Sequence, residues 1–235
     1  MKNYIYINNT PYEFEFERKR IRNINLRIRQ DGSIHVSAPM RVSNKAVEEF
    51  LKSKASFIVH AVESVNSKKA RNIRPEMIEN GTVVKVFGED RTVALLLGKR
   101  NSVIMIDDTV FITVKDIDDR ELVTKVYNKW RSELLRQKVT ELCEQATPVF
   151  VQMGAKAPTK IKFRTMKSRW GSCKPSEGVI TFNYNLFEVP EECVWYVVVH
   201  EYAHLLVPNH SDKFYRYVGI VCPRWREIRR ILNEY

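Results

Sequence analysis

Val189-Pro190-Glu191-Glu192-Cys193-Val194-Trp195-Tyr196-Val197-Val198-Val199-His200-Glu201-Tyr202-Ala203-His204, with His210 six residues further on, is the stretch that decides how this chain reads. Pro190 suits the first position of a helix, and the two glutamates suit the positive end of its dipole. Apolar residues fill the following turns, so the helix is expected to be buried on most sides. Two imidazoles four apart share a helix face, rotated by roughly 40° and displaced by about 6 Å, so both reach a single metal ion. Glu201 stands beside the first of them. Burying two rings and a carboxylate is costly unless something pairs with them, and a metal ion does so. The bland alternative is a buried helix with two hydrogen-bonded histidines. Of the five histidines in 235 residues, however, three fall within eleven positions. The H-E-x-x-H spacing in this context predicts a zinc site with a general base beside it.

A third ligand is needed, and His210 is the favoured one. Its spacing from His204 equals that of the pattern H-E-x-x-H-x-x-G-x-x-H. Val207 stands where that pattern has glycine, and a β-branched residue tolerates positive φ poorly. Pro208 pushes Val207 toward extended geometry and ends the helix near Leu206, so the chain doubles back by a different turn. No methionine follows Met166, which removes the downstream Met-turn of the metzincins. Glu227 and Asp212 are rival ligands. Glu227 lies in Trp225-Arg226-Glu227-Ile228-Arg229, which has the look of an ordinary amphipathic helix face.

Further stretches carry a family resemblance. They are Arg164-Thr165-Met166-Lys167-Ser168-Arg169-Trp170-Gly171-Ser172-Cys173, then Gly178-Val179-Ile180-Thr181-Phe182-Asn183, then the histidine motif through Pro208-Asn209-His210-Ser211. Together with Arg22–Ile28, the Asp31-Gly32 turn, His35–Pro39 and the segment from Ser43, they resemble the YgjP-like metallopeptidases over most of the chain. Residues 66–120 match least distinctly. The resemblance implies one Zn2+ per chain on His200, His204 and His210, Glu201 as catalytic base, and a peptide or protein substrate. Around the zinc helix the chain is also similar to SprT-like proteases that act near DNA.

Periodicity gives the organisation. Tyr12, Phe14 and Phe16 alternate with glutamates, as in a half-buried strand. Ile24, Leu26 and Ile28 continue across Asp31-Gly32 to Ile34, Val36 and Ala38 as a hairpin. Ser43 caps a helix with Val47, Phe50, Leu51, Ile58 and Val59 on its apolar face, and Ser67–Arg71 reads as a polar linker. Short strands follow at Val83–Phe87, Val93–Leu97, Val103–Ile106 and Val110–Val114. A long amphipathic helix is predicted from about Asp119 to Ala146, and two more helices follow the zinc motif, the first capped by Ser211. The expected fold class is α+β, with a β-rich module over 1–117 and a zincin-like catalytic domain over 118–235.

These elements predict a zinc-dependent peptidase. Three neutral imidazoles would leave an open metal position for water, and Glu201 would take that water's proton as it attacks a peptide carbonyl. Val179-Ile180-Thr181-Phe182 alternates just ahead of the zinc helix and is expected to be an edge strand pairing with an extended substrate, or an interior strand of a small sheet. Trp170 either walls the cleft or anchors its loop on the core. Arg164, Lys167, Tyr202, Tyr215 and Tyr217 are candidate oxyanion stabilisers.

Composition sets outer limits. No apolar run reaches a membrane span and the first residues lack a signal core, so a cytoplasmic protein is expected. Cys143, Cys173, Cys193 and Cys222 are widely spaced and read as reduced thiols. The net charge of +11 allows an alternative class, a nucleic-acid-associated protein or zinc-containing binding module. A structural zinc ordinarily takes four protein ligands, and no fourth is evident.

Overall fold

A computed structural model describes residues 3–29, 31–71 and 77–235, which form two compact units, Met1–Ile73 and Arg74–Tyr235. The architecture is α+β, as the element pattern predicts.

In the first unit, β1 (Asn3–Ile7), β2 (Thr10–Lys19), β3 (Asn25–Ile28) and β4 (Ile34–Pro39) form a sheet in the order β1-β2-β4-β3. The predicted hairpin is β3–β4, with Ile28 opposite Ile34. Ser43 caps α1 (Asn44–Ser53) by accepting from the Ala46 amide. The helix expected from Ser43 is broken at Lys54, and α2 runs Ala55–Arg71. Ser67–Arg71 therefore closes α2 rather than forming the expected linker: serine, lysine, alanine and arginine all tolerate a helix. Ile5, Ile34, Val36, Val47, Leu51 and Ile58 bury the apolar face that the alternation marks.

In the second unit, β5 (Val83–Val86), β6 (Glu89–Leu97), β7 (Ser102–Ile106) and β8 (Thr109–Val114) pair in the order β5-β6-β8-β7. Their inner residues Val84, Val93, Val110, Ile112 and Val114 pack in one core with Val123, Leu135 and Val139 of α3 (Arg120–Gln152). Asp119 caps α3, which continues past the expected Ala146 and across Pro148. The compact units therefore part near residue 73, not at the expected 117/118. The strands over 83–114 bury their apolar face on the helices that follow. Without those helices that face would be in water. The β5–β6 turn illustrates the docking. Gly88, at φ +88°, lies so close to Pro190 that a Cβ would meet the ring at 2.8 Å, and Phe87 donates to the Phe187 carbonyl.

A second, three-stranded sheet in this unit has the order β10-β11-β9, formed by β9 (Lys160–Arg164), β10 (Gly171–Lys174) and β11 (Val179–Asn183). A 3-10 turn at Tyr184–Glu188 leads to α4 (Glu191–Ala203), followed by α5 (Asp212–Val221) and α6 (Trp225–Leu232). Val194, Val197, Val198 and Val199 are buried on α4. Among the described residues, no helix is long and apolar enough to cross a membrane.

Candidate metal centre

The last turn of α4 carries His200, and His204 is its C-cap. The chain leaves the helix through a turn at 204–206, the Val207 amide still bonded to the Ala203 carbonyl. Helical geometry thus stops about one turn before the expected Leu206, because Pro208 beyond it cannot extend the helix. The chain then doubles back. It brings His210 against the other two rings, at centroid separations of 4.9 Å from His200 and 4.8 Å from His204, while His200 and His204 are 5.0 Å apart. One nitrogen from each ring lies within 4.8 Å of the other two, a spread that one ion can bridge.

Protonation favours the same use. Burial holds the His200 ring well below the ordinary imidazole range, at about 3, helped by the charges that His204 and His210 would carry. Burial lowers His204 too, partly offset by the Val207 carbonyl, which faces its Nδ1 at 3.2 Å. That contact suits a proton on Nδ1 and leaves Nε2 as a lone-pair donor. His200 Nε2 lies 3.0 Å from His210 Nε2, so the two nitrogens share a proton as a hydrogen bond or, with both lone pairs free, turn them on one cation. Three imidazole nitrogens so gathered are a donor set that suits a metal ion.

Phe214 of α5 forms the floor. It is fully buried and touches all three rings, at 4.9, 4.6 and 4.9 Å. Tyr215 stacks on His210 and, at 4.5 Å, on Trp225 of α6. Phe214 was not singled out from the sequence, and Tyr215 was named there only as a candidate oxyanion stabiliser, not as a support. Their signal is the aromatic pair directly after Ser211-Asp212-Lys213, legible only once α5 is known to return beneath α4.

Glu201 points to the other side, toward β10. It is 5% exposed, and its buried Oε2 has no hydrogen-bond partner among the described residues. Burial pushes its carboxyl up to about 8, while the Arg169 guanidinium pulls the other way. The carboxylate is admitted by a missing side chain: a Cβ on Gly171 would lie 2.5 Å from Glu201 Oε1. Gly171 thus needs to be glycine because of this close approach.

A cleft of about 300 Å³ joins these groups, with Arg169, Ser172, Cys173 and Pro175 on one wall and the three histidines and Pro208 on the other. The strand facing it is β10, an edge strand. Val179-Ile180-Thr181-Phe182 is β11, paired antiparallel to β10 and parallel to β9. Of the two expectations for it, the interior strand of a small sheet is what the structure has and the substrate-pairing edge is corrected: both its edges are used, and Ile180 and Phe182 are fully buried. A central strand and an edge strand show the same alternation, so spacing alone does not separate them. Trp170 is half-buried and packs on the core just ahead of Gly171.

Other candidates fall elsewhere. Glu227 pairs with Arg224 at 2.9 Å. Tyr202 is buried, its hydroxyl bonded to Thr147 and the Cys143 carbonyl, and the Tyr215 hydroxyl accepts from Arg229. Cys173 borders the cleft as a free thiol but is not one of the converging donors. Asn183, which the sequence reading passed over, is 2% exposed. Its side-chain amide donates to the Met166 and Arg169 carbonyls and accepts from the Met166 and Asn185 amides. It pins the loop that leads into Gly171.

The family model described as YgjP-like, metallopeptidase domain, matches residues 22–235. Among solved structures, the chain is similar to the metallopeptidase zymogen abylysin of Pyrococcus abyssi, at 32% identity over 41% of this chain and 93% of that one, with a TM-score of 0.36. No curated protein matches the chain.

Proposed function

The chain belongs to the YgjP-like metallopeptidase family, and on that premise we propose that it is a zinc-dependent endopeptidase in which Glu201 serves as general base. The single observation that carries this reading is the convergence of His200, His204 and His210 beside a buried carboxylate whose Oε2 has no hydrogen-bond partner among the described residues.

His200, His204 and His210 would hold the ion, which supplies Lewis acidity when bound, polarising a carbonyl and acidifying water. The chain's own groups do the rest. Glu201 accepts a proton from water and returns it to the leaving amine. Gly171 leaves room for that carboxylate, and Phe214 keeps bulk water from beneath the rings. The edge of β10 offers backbone groups for an extended polypeptide, the role the sequence reading gave to β11. The family's substrate is a peptide or protein, and the nucleic-acid alternative gains nothing from it.

The test compares wild type with Glu201→Gln on unfolded-protein and peptide pools, measuring bound zinc and turnover together. The expected result is equal zinc in both and a loss of at least about a hundredfold in turnover for the variant, the scale of general-base catalysis. Equal turnover would remove Glu201 from the mechanism.

A further inference from the structure

Residues 160–169 read Lys-Ile-Lys-Phe-Arg-Thr-Met-Lys-Ser-Arg, with five cations and no acid. Strand alternation turns Ile161 and Phe163 onto the core, leaving Lys160, Lys162 and Arg164 exposed on the outer face of β9. Lys167 and Arg169 follow on the loop that Asn183 pins. None of these five is in an ion pair among the described residues. Elsewhere in the unit some cations are matched, such as Arg131 with Glu188, Lys138 with Glu191, Arg91 with Asp108 and Arg224 with Glu227, while others, Lys99, Lys115 and Arg226 among them, stand without an ion pair among the described residues. Five cations in ten residues with no acid among them thus form a stripe that runs to the cleft and ends in Arg169, which lines it within electrostatic reach of Glu201.

We infer that Arg169 binds a carboxylate of the polypeptide substrate next to the scissile bond, so that the site selects acidic segments, with Lys162, Arg164 and Lys167 drawing them in. The inference rests on the peptidase reading. A guanidinium presents a planar fork of donors matched to a carboxylate. Its loop is already fixed, since the Arg169 carbonyl is held by Asn183 at 2.8 Å and the Trp170 carbonyl by the Asn183 amide at 2.9 Å. Distance separates the roles. An extended chain on the β10 edge lies beside Arg169, whereas β9 is two strand spacings from β10, about 10 Å. That is close to one screening length at physiological salt, so the β9 cations steer rather than bind. Polypeptide is favoured over nucleic acid because the stripe's own hydrophobic side chains, Ile161 and Phe163, face the core and offer bases no stacking platform.

The experiment uses the zinc-loaded full chain and matched peptides carrying Glu or Gln beside the cleavage site, each with a free or amidated C-terminus. Wild type is expected to prefer the carboxylate form by about tenfold in kcat/KM, the scale of one charge-assisted hydrogen bond. R169Q should abolish that ratio and R169K restore part of it, a pattern that a merely structural role for Arg169 would not produce. K162Q/R164Q/K167Q should leave the ratio at saturating salt and lower kcat/KM severalfold only at low salt. Whether the preference follows the side chain or the chain end identifies which carboxylate Arg169 reads. Cleavage of Glu and Gln peptides at equal rates, or a ratio unchanged in R169Q, overturns the inference and leaves the peptidase reading standing. Cleavage of no peptide overturns both. Tighter binding of a single-stranded oligonucleotide than of the Glu peptide to E201Q protein, with R169Q indifferent to peptide charge, assigns the stripe to nucleic acid instead.

Discussion

At the scale of single residues, the account turns on what lies against Glu201. Gly171 and Glu201 share one space, so Gly171→Ala must displace either the carboxylate or β10. The expected outcome is a destabilisation of about 1–3 kcal/mol, typical of overpacking, with zinc retained and turnover lost. Zinc titration and chemical denaturation check it; full turnover in the variant would mean that the carboxylate can work from elsewhere. A second expectation concerns the thiols. Burial pushes Cys193 up to about 12, with a smaller push from Glu192, and Cys143 up to about 11, where the Tyr202 hydrogen bond pulls the other way and Glu144 adds to the rise. Because these folded-state values are raised, burying the thiols stabilises fully below the pKa of an unfolded cysteine. That contribution is lost as pH climbs toward 11 to 12. At pH 8 the Cys193 thiolate fraction is on the order of a thousandfold below that of a free thiol, so iodoacetamide should label the native chain slowly and the unfolded chain fast. Rapid native labelling at both positions would contradict the packing. The histidine and glutamate positions were legible in the sequence because helical spacing alone aligns them. The requirement for Gly171 was not, since it depends on a contact between residues thirty apart.

At the scale of elements, two supports stand out, neither marked by a motif. Phe214→Ala removes the apolar floor common to the three rings, and the expected cost is about 3–5 kcal/mol, with weaker zinc retention against a chelator. Denaturation midpoints and chelator competition measure both; unchanged zinc affinity would show that the rings hold their aim without α5. Asn183→Ala would leave buried backbone groups of the 166–170 loop unpaired, at about 1–3 kcal/mol for the group least able to reach water. The sequence indicated β11 as a strand through its alternation. Its central place was hidden because the order β10-β11-β9 combines an antiparallel and a parallel neighbour, and only contacts across the sheet show that both edges are taken. The break at Lys54 and the extension of α2 to Arg71 were likewise beyond propensity, since those residues suit a helix and a polar linker alike.

At the scale of the whole molecule, the strands over 83–114 decide where the units part. Read alone they resemble the β-rich start of the chain, yet their apolar faces are matched to α3, so composition suggested one boundary and packing sets another. The net charge of +11 was equally ambiguous, because a charge total does not show which cations share one face, as Lys160, Lys162 and Arg164 do on β9, or which line the cleft, as Arg169 does. Above both stands the requirement that three rings from two segments of chain meet one ion. X-ray absorption at the zinc edge of the loaded protein tests it most directly. The account expects three imidazole nitrogens at about 2.0–2.1 Å in wild type and two in His210→Ala. A sulfur shell near 2.3 Å, or a spectrum that His210→Ala leaves unchanged, would contradict it.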